Sequence, residues 1–249
     1  MKQLATSLLL FATVLILGNT SAAASPMTIE NADSNDKSER VDAHMNLTPF
    51  TGMQSDVVAD ITFIQSDGEY AIDATGPERI IRLIDVKIKD GLVRITSTQD
   101  YKMKRGEKVR LTVYAPTLNV IRQDGVGQVK VPDCLDVETL DIVLNGVGNV
   151  KISDLRCSQL NVRANGVGNV DIAGTADNAV YMSDGVGSID AEDLQADNVT
   201  IKLNGVGSVE CYANKSIEGH NSGVGSVRYS GNPENVRISN NGVGSVRRK

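Results

Sequence analysis

The chain has 249 residues, a formal net charge of −6, three cysteines, three phenylalanines and no tryptophan. An acidic chain is repelled by phosphate backbones and anionic lipid, so nucleic acid and anionic membranes are disfavoured as partners. Three cysteines cannot all pair with one another.

Residues 1–24 read as a secretory signal: Lys2 is the charged end, residues 8–17 are apolar, and Ala22-Ala23-Ala24 offers a small-residue cleavage site. The apolar run is too short to span a bilayer, so no transmembrane segment is expected once the signal is removed. Removal leaves 24 basic against 31 acidic side chains, a net charge of −7. The mature chain is therefore expected to be exported, to the periplasm or to the cell surface and beyond.

Residues 25–46 are rich in Asn, Asp, Ser and Glu, the composition of a solvated, disordered linker. Residues 47–118 form an expected β-rich cap, with β-branched runs at 57–64, 70–74, 80–88, 92–96 and 109–113 bounded by Gly, Pro or Asp. Lys89-Asp90-Gly91 is a hairpin turn between two of these runs.

From residue 119 to the C-terminus one phrase dominates, written most plainly as Asn145-Gly146-Val147-Gly148-Asn149-Val150. Seven copies place their first glycines at Gly125, Gly146, Gly166, Gly185, Gly205, Gly223 and Gly242, which lie 21, 20, 19, 20, 18 and 19 residues apart. A period near 20 residues marks a solenoid in which each repeat is one coil stacked on the last. The fold predicted is a parallel, right-handed β-helix of about seven coils covered at its N-terminal end by the cap.

Aligned on the first glycine, the coils share apolar columns. Six positions earlier stand Leu140, Leu160, Ala179, Val199, Ile217 and Val236; four earlier stand Ile121, Ile142, Val162, Tyr181, Ile201 and Ile238. Beyond the phrase run Val129, Val150, Val170, Ile189, Val209, Val227 and Val246, then Val131, Ile152, Ile172, Ala191, Cys211 and Tyr229. The valines inside the phrase (Val126, Val147, Val167, Val186, Val206, Val224, Val243) form a further column, expected to be buried like the rest. Val126 and Val129 could share a face only if the backbone bends between them, and the first glycines are assigned as the positive-φ corners that allow it. A run of hairpins would account for the Asn-Gly pair but not for the second Gly and the Val at fixed offsets.

Cys211 falls in an inward column, where it packs as a small apolar side chain. Cys134 and Cys157 are 23 residues apart, one coil plus three residues, and are the candidate pair for a disulfide across adjacent coils.

The chemistry-bearing patterns mostly fail on inspection. A dinucleotide loop needs a third glycine where the chain has Lys130, Lys151, Asp171, Asp190, Glu210 or Arg228, and a strand rather than a helix follows. Calcium-binding rolls need nine-residue repeats with fixed aspartates, whereas this corner is usually a neutral Asn. No cofactor or metal ligand is therefore assigned. For a polysaccharide-processing enzyme, the alternative reading, the outward candidates are Asp141, Arg163, Lys202 and Arg237. The two histidines are His44 and His220, and Tyr181, Tyr212 and Tyr229 are the candidates for stacking on sugars.

The repeated Gly-x-Gly-x-Val corner, the stretch Val86-Lys87-Ile88-Lys89-Asp90-Gly91-Leu92-Val93-Arg94-Ile95 and the late Val227-Arg228-Tyr229-Ser230-Gly231-Asn232-Pro233 resemble the head GIN domain family. These adhesin-like domains of unknown function are common in exported proteins of Bacteroides relatives, and the resemblance runs from about Leu47 to the C-terminus. It implies a β-helical fold and an adhesin-like role, and it carries no catalytic or ligand-binding residues. The chain departs from it in placing Val147 and its equivalents where many members carry Ser. The reading adopted is a non-enzymatic exported adhesin or scaffold that binds a glycan or a cell-surface protein along one solenoid face.

Overall fold

Backbone ladders between successive coils organise the chain, because a strand edge left unpaired in a stack would strand its N–H and C=O groups. The structure, a computed structural model, describes residues 28–30 and 40–249, so the signal of residues 1–24 lies outside the described residues. About 70% of it is strand, wound into a β-solenoid of about six turns, close to the seven coils expected. The seven copies of the phrase are the corners that bound those turns.

The strands, in order, are β1 (Thr28–Glu30), β2 (Arg40–Asn46), β3 (Gly52–Ser55), β4 (Asp60–Gln65) and β5 (Ala71–Pro77), followed by a helical turn α1 (Glu78–Ile81). Next come β6 (Ile84–Lys89), β7 (Leu92–Ser97), β8 (Arg110–Ala115), β9 (Val120–Gln123), β10 (Val126–Asp136) and β11 (Thr139–Leu144). The stack is completed by β12 (Val147–Ala164), β13 (Val170–Ser183), β14 (Ile189–Leu203), β15 (Val206–Asn221), β16 (Val224–Gly231), β17 (Asn235–Asn240) and β18 (Val246–Arg248).

The cap continues the solenoid rather than sitting on it. One face runs from β10 to β4 and β8 in parallel, then to β5 and β2 in antiparallel pairing. The other runs from β9 to β3 and β7 in parallel, then to β6 across an antiparallel hairpin. That hairpin turns at Asp90 (φ 54°) and Gly91 (φ 74°), both left-handed, as a two-residue turn matched to strand twist requires.

Two boundaries differ from expectation. Residues 28–30 and 40–46, read as linker, are strands β1 and β2, paired antiparallel, because Val41, Ala43 and Met45 of β2 alternate inward and bury against the cap. The 80–88 run begins as a helical turn, because Ile80 and Ile81 are both buried, and consecutive residues of a strand point to opposite faces.

In the solenoid the inward columns form as read. Val150 pairs with Val170, Val170 with Ile189, Ile189 with Val209 and Val209 with Val227, all fully buried. Tyr181 is buried outright within its column, its hydroxyl without a hydrogen-bond partner; burial pushes its pKa well above the usual phenol value. The last coil is the exception, since Val236 is exposed and Ile238 only partly covered where no further strand packs.

The three cysteines are free thiols. The ladder pairs Cys134 with Asp154, leaving Cys157 three residues further along the strand, roughly 10 Å at 3.3 Å per residue and beyond disulfide reach. Cys211 is buried, and burial pushes its pKa up to about 12.

Candidate functional site

The corners build the most regular surface on the molecule, and their geometry corrects two expectations. The valines inside the phrase point outward, from 44% exposed at Val126 to 72% at Val243. The reason lies in the spacing. Residues three apart in a strand fall on opposite faces, so with Val129 buried, Val126 is turned to solvent.

The left-handed backbone also falls elsewhere. Six of the seven second glycines, Gly127, Gly148, Gly168, Gly187, Gly207 and Gly244, have φ between 138° and 152°, Gly225 being the exception, while none of Gly125, Gly146, Gly166, Gly185, Gly205, Gly223 and Gly242 has a positive φ. The first glycines are needed for close approach: a Cβ on Gly146 would stand 1.9 Å from the Gly125 carbonyl oxygen, and one on Gly185 2.1 Å from that of Gly166.

In every copy the clash is with the coil before. That rule uncovers an eighth rung which the sequence hid. Residues 56–60 stack beneath the first copy: Val58 pairs with Val126, the Val126 N–H donates to the Val57 carbonyl and the Ala59 N–H to the Val126 carbonyl. Val57 and Ala59 occupy the two glycine places. They can carry side chains because no earlier corner lies beneath them; the 97–101 segment does instead, with the Val58 N–H donating to the Tyr101 hydroxyl at 3.0 Å.

The result is a ridge of eight exposed valines, Val58, Val126, Val147, Val167, Val186, Val206, Val224 and Val243, each paired in register with the next. Seven steps of about 4.8 Å make it roughly 34 Å long. Glycine floors run along both sides. On one side a groove of about 690 Å³ extends from Asn145 to Val243, walled by the ridge and by the Asn/Asp column.

Polar ladders border the face. Asn145 Nδ2 donates to Asp124 Oδ1 at 2.6 Å, Asn165 to Asn145 at 2.9 Å and Asn204 to Asp184 at 2.7 Å. Across the ridge the Asn169 N–H donates to Asn149 Oδ1 and the Ser188 N–H to Asn169 Oδ1, both at 3.0 Å. Backbone N–H groups at the corner donate to neighbouring coils, as Val147 does to Gly125 and Gly148 to Val167. A partner therefore meets methyl groups and side-chain amides on a scaffold whose main chain is already committed.

The other candidates do not converge. Asp141 lies on an outer strand face, accepting from Asn161 at 2.7 Å, and the next carboxylate in its column is Glu218, four coils away. That is roughly 19 Å, far outside the ~5–9.5 Å that separates the acid pair of glycosidases. Arg163 and Lys202 share the neighbouring column with His220, and Arg237 follows Glu218. His44 Nδ1 lies 2.7 Å from Asp73 in the cap. Of the tyrosines, Tyr181 is core, while Tyr212 and Tyr229 are half-buried in successive coils, away from the valine ridge.

One carboxylate stack escaped the sequence reading: Asp171, Asp190 and Glu210 occupy adjacent coils, with Lys151 before them and Arg228 and Arg247 after. Equal offsets from the glycines would have revealed it. Hydrogen bonds from Arg228 and then Lys249 hold the Glu210 carboxyl down at about 2, so it is ionised at neutral pH and cannot serve as an acid. Among the described residues, no group of His, Cys, Asp and Glu side chains is arranged to hold a metal ion.

Comparison with known proteins gives a consistent result. Residues 49–233 match the family described as putative auto-transporter adhesin, head GIN domain. The crystal structure of a putative adhesin from Bacteroides fragilis NCTC 9343 superposes with a TM-score of 0.82 at 36% identity, covering 84% of this chain and 97% of that one. A putative adhesin from Parabacteroides merdae ATCC 43184 (TM-score 0.63, 84% and 96% covered) and a putative lipid binding protein from Parabacteroides distasonis ATCC 8503 (TM-score 0.62, 83% and 96% covered) share the fold at 19% identity. No curated protein matches.

Proposed function

This chain belongs to the head GIN adhesin family, and on that premise we propose that it is a non-enzymatic adhesin or scaffold, exported to the periplasm or cell surface, that binds a macromolecule through its valine face. The observation that carries this reading is the ridge of eight exposed valines. Monomeric proteins rarely leave so long an apolar strip in water, and contiguous exposed apolar surface marks interaction sites.

The composition of the face favours protein over glycan. Sugars dock their C–H faces on aromatic rings; the groove from Asn145 to Val243 contains none, and Tyr101, which lines the hollow beside Val58 and Val126, has its hydroxyl engaged by the Val58 N–H. The absence of basic side chains from the groove also disfavours phosphate and anionic lipid.

The test compares the parent with a variant carrying Val147→Thr, Val167→Thr, Val186→Thr and Val206→Thr, which keeps side-chain shape and removes apolar contact. Both are applied to intact bacterial cells and to immobilised glycan panels. Cell binding that is lost in the variant, without glycan binding, is the expected result. Glycan binding indifferent to the variant, or turnover of a polysaccharide, would overturn the reading.

A further inference from the structure

We infer that the partner of the valine face is the same face on a second copy of this chain, so that the contact is homotypic. The inference rests on reading that face as a binding surface, and it follows from shape and charge.

The ridge is evenly stepped, one valine per coil in register, and its backbone is tied into inter-coil ladders, so it resists bending to fit a contoured partner. A well-matched surface shares its course, its apolar character and its step of about 4.8 Å. The face supplies that complement. Two ridges laid face to face, rung against rung, close their methyl groups into one dry contact, as identical strands do in zippers.

Charge selects the orientation. Asp56 and Asp60 flank the first rung, Asp124 the second and Asp184 the fifth, while the remaining border positions are Asn, Gln or Ser. A two-fold axis across the ridge runs the copies antiparallel and sets rung one against rung eight. Asp56 then faces Asn241, Asp60 faces Ser245, Asp124 faces Ser222 and Asp184 faces Asn165, every carboxylate against a neutral side chain. The parallel arrangement would instead crowd Asp56, Asp60 and Asp124 of both copies at one end. Antiparallel copies keep the Asp56 and Asp60 pairs some 34 Å apart and the two Asp124 roughly 24 Å apart, several Debye lengths at physiological salt, and leave a single like-charge approach, the two Asp184 one step apart at the centre.

Area sets the strength. A strip roughly 34 Å long and about 13 Å wide, four residue steps across, covers on the order of 450 Å² in plan on each copy. That falls at the small end of specific interfaces, where association is transient. Single contacts of this kind gain strength when many copies are displayed on opposed surfaces.

The experiment is sedimentation equilibrium of the full chain over a range reaching several hundred micromolar. A monomer–dimer equilibrium that closes at two is expected, as an isologous contact requires. Val167→Glu should weaken it by at least about tenfold, because two carboxylates enter the centre of a dry contact. The four-valine threonine variant should weaken it too while keeping the parent's circular dichroism and melting temperature, which separates loss of contact from loss of fold. Thr200→Lys, on another face, should leave it unchanged.

A parent that stays monomeric throughout overturns the homotypic contact and leaves the wider adhesin reading to its cell-binding test. A dimer indifferent to both ridge variants, or open-ended growth into fibres, overturns it by placing the contact on another surface.

Discussion

Replacing Gly185 with Ala tests the stacking directly, because it adds one methyl group and changes nothing else. The new Cβ would stand 2.1 Å from the Gly166 carbonyl oxygen and 2.6 Å from the Asn165 carbonyl carbon, and ordinary contact begins near 3.4 Å. Both obstacles are main chain, so no side chain can swing aside. Opening the gap by over 1 Å stretches the bonds from the Gly185 N–H to Ala164 and from the Val186 N–H to Gly166, both 2.9 Å, past useful length. Overpacking costs about 1–3 kcal/mol, and each of the two hydrogen bonds left unmade about 1–3 more, so a loss of roughly 3–9 kcal/mol is expected. Gly185→Asn distinguishes the cause: Asn tolerates left-handed backbone, so it would be cheap if φ were the constraint, but it should cost as much as Ala if close approach is. Urea denaturation of the parent, both variants and the outer-face control Lys202→Thr gives the answer. Gly185→Ala within about 0.5 kcal/mol of the parent, the range of an ordinary surface change, would refute the stacking argument.

Gln123→Leu should stabilise the protein by about 1–3 kcal/mol, because both amide atoms of the buried Gln123 lack partners and Leu144 already fills the equivalent place one coil on; a lowered urea midpoint would contradict this. Acid stability should change in Glu210→Gln. Arg228 and Lys249 depress the folded-state pKa of Glu210 from 4.5 to about 2, so the parent holds this contribution above pH 4.5 and loses it as the pH falls through about 2. The variant lacks it throughout, and its melting temperature should fall less steeply across that window; identical pH profiles would show that the pairing adds nothing.

Much of the solenoid was legible because stacking repeats a physical constraint at a fixed interval. Leu140, Leu160 and Val199, or Val150, Val170 and Ile189, must each fit the neighbour above and below, so identity at one offset reports burial and pairing together. The Asp90-Gly91 turn was legible for a local reason, since few residues accept two left-handed conformations in succession. What was hidden depends on context. Val147 and Val150 look alike in sequence, and only the direction of the backbone turns one to solvent. Val57 and Ala59 stand at a corner without its glycines, because the steric demand that calls for glycine disappears where no earlier corner lies beneath. Strand β2 was obscured by charged and amide residues around three inward side chains. Ile80 and Ile81 read as strand by propensity and turned helical so that both could be buried. The candidate face was thus half visible: its column was found, but its exposure required coordinates.

The one-sided demand for glycine also gives the stack a direction in which it can be lengthened. Each corner must accommodate only the coil before it, and every interior coil meets nearly identical neighbours above and below. A duplicate of residues 165–183 spliced in after the original would therefore find compatible carbonyls, valines and amides on both sides. Neither the N-terminal cap nor the final coil would need to change. The length of the ridge is set by copy number, a quantity that unequal recombination can alter in one step without a new core having to be invented.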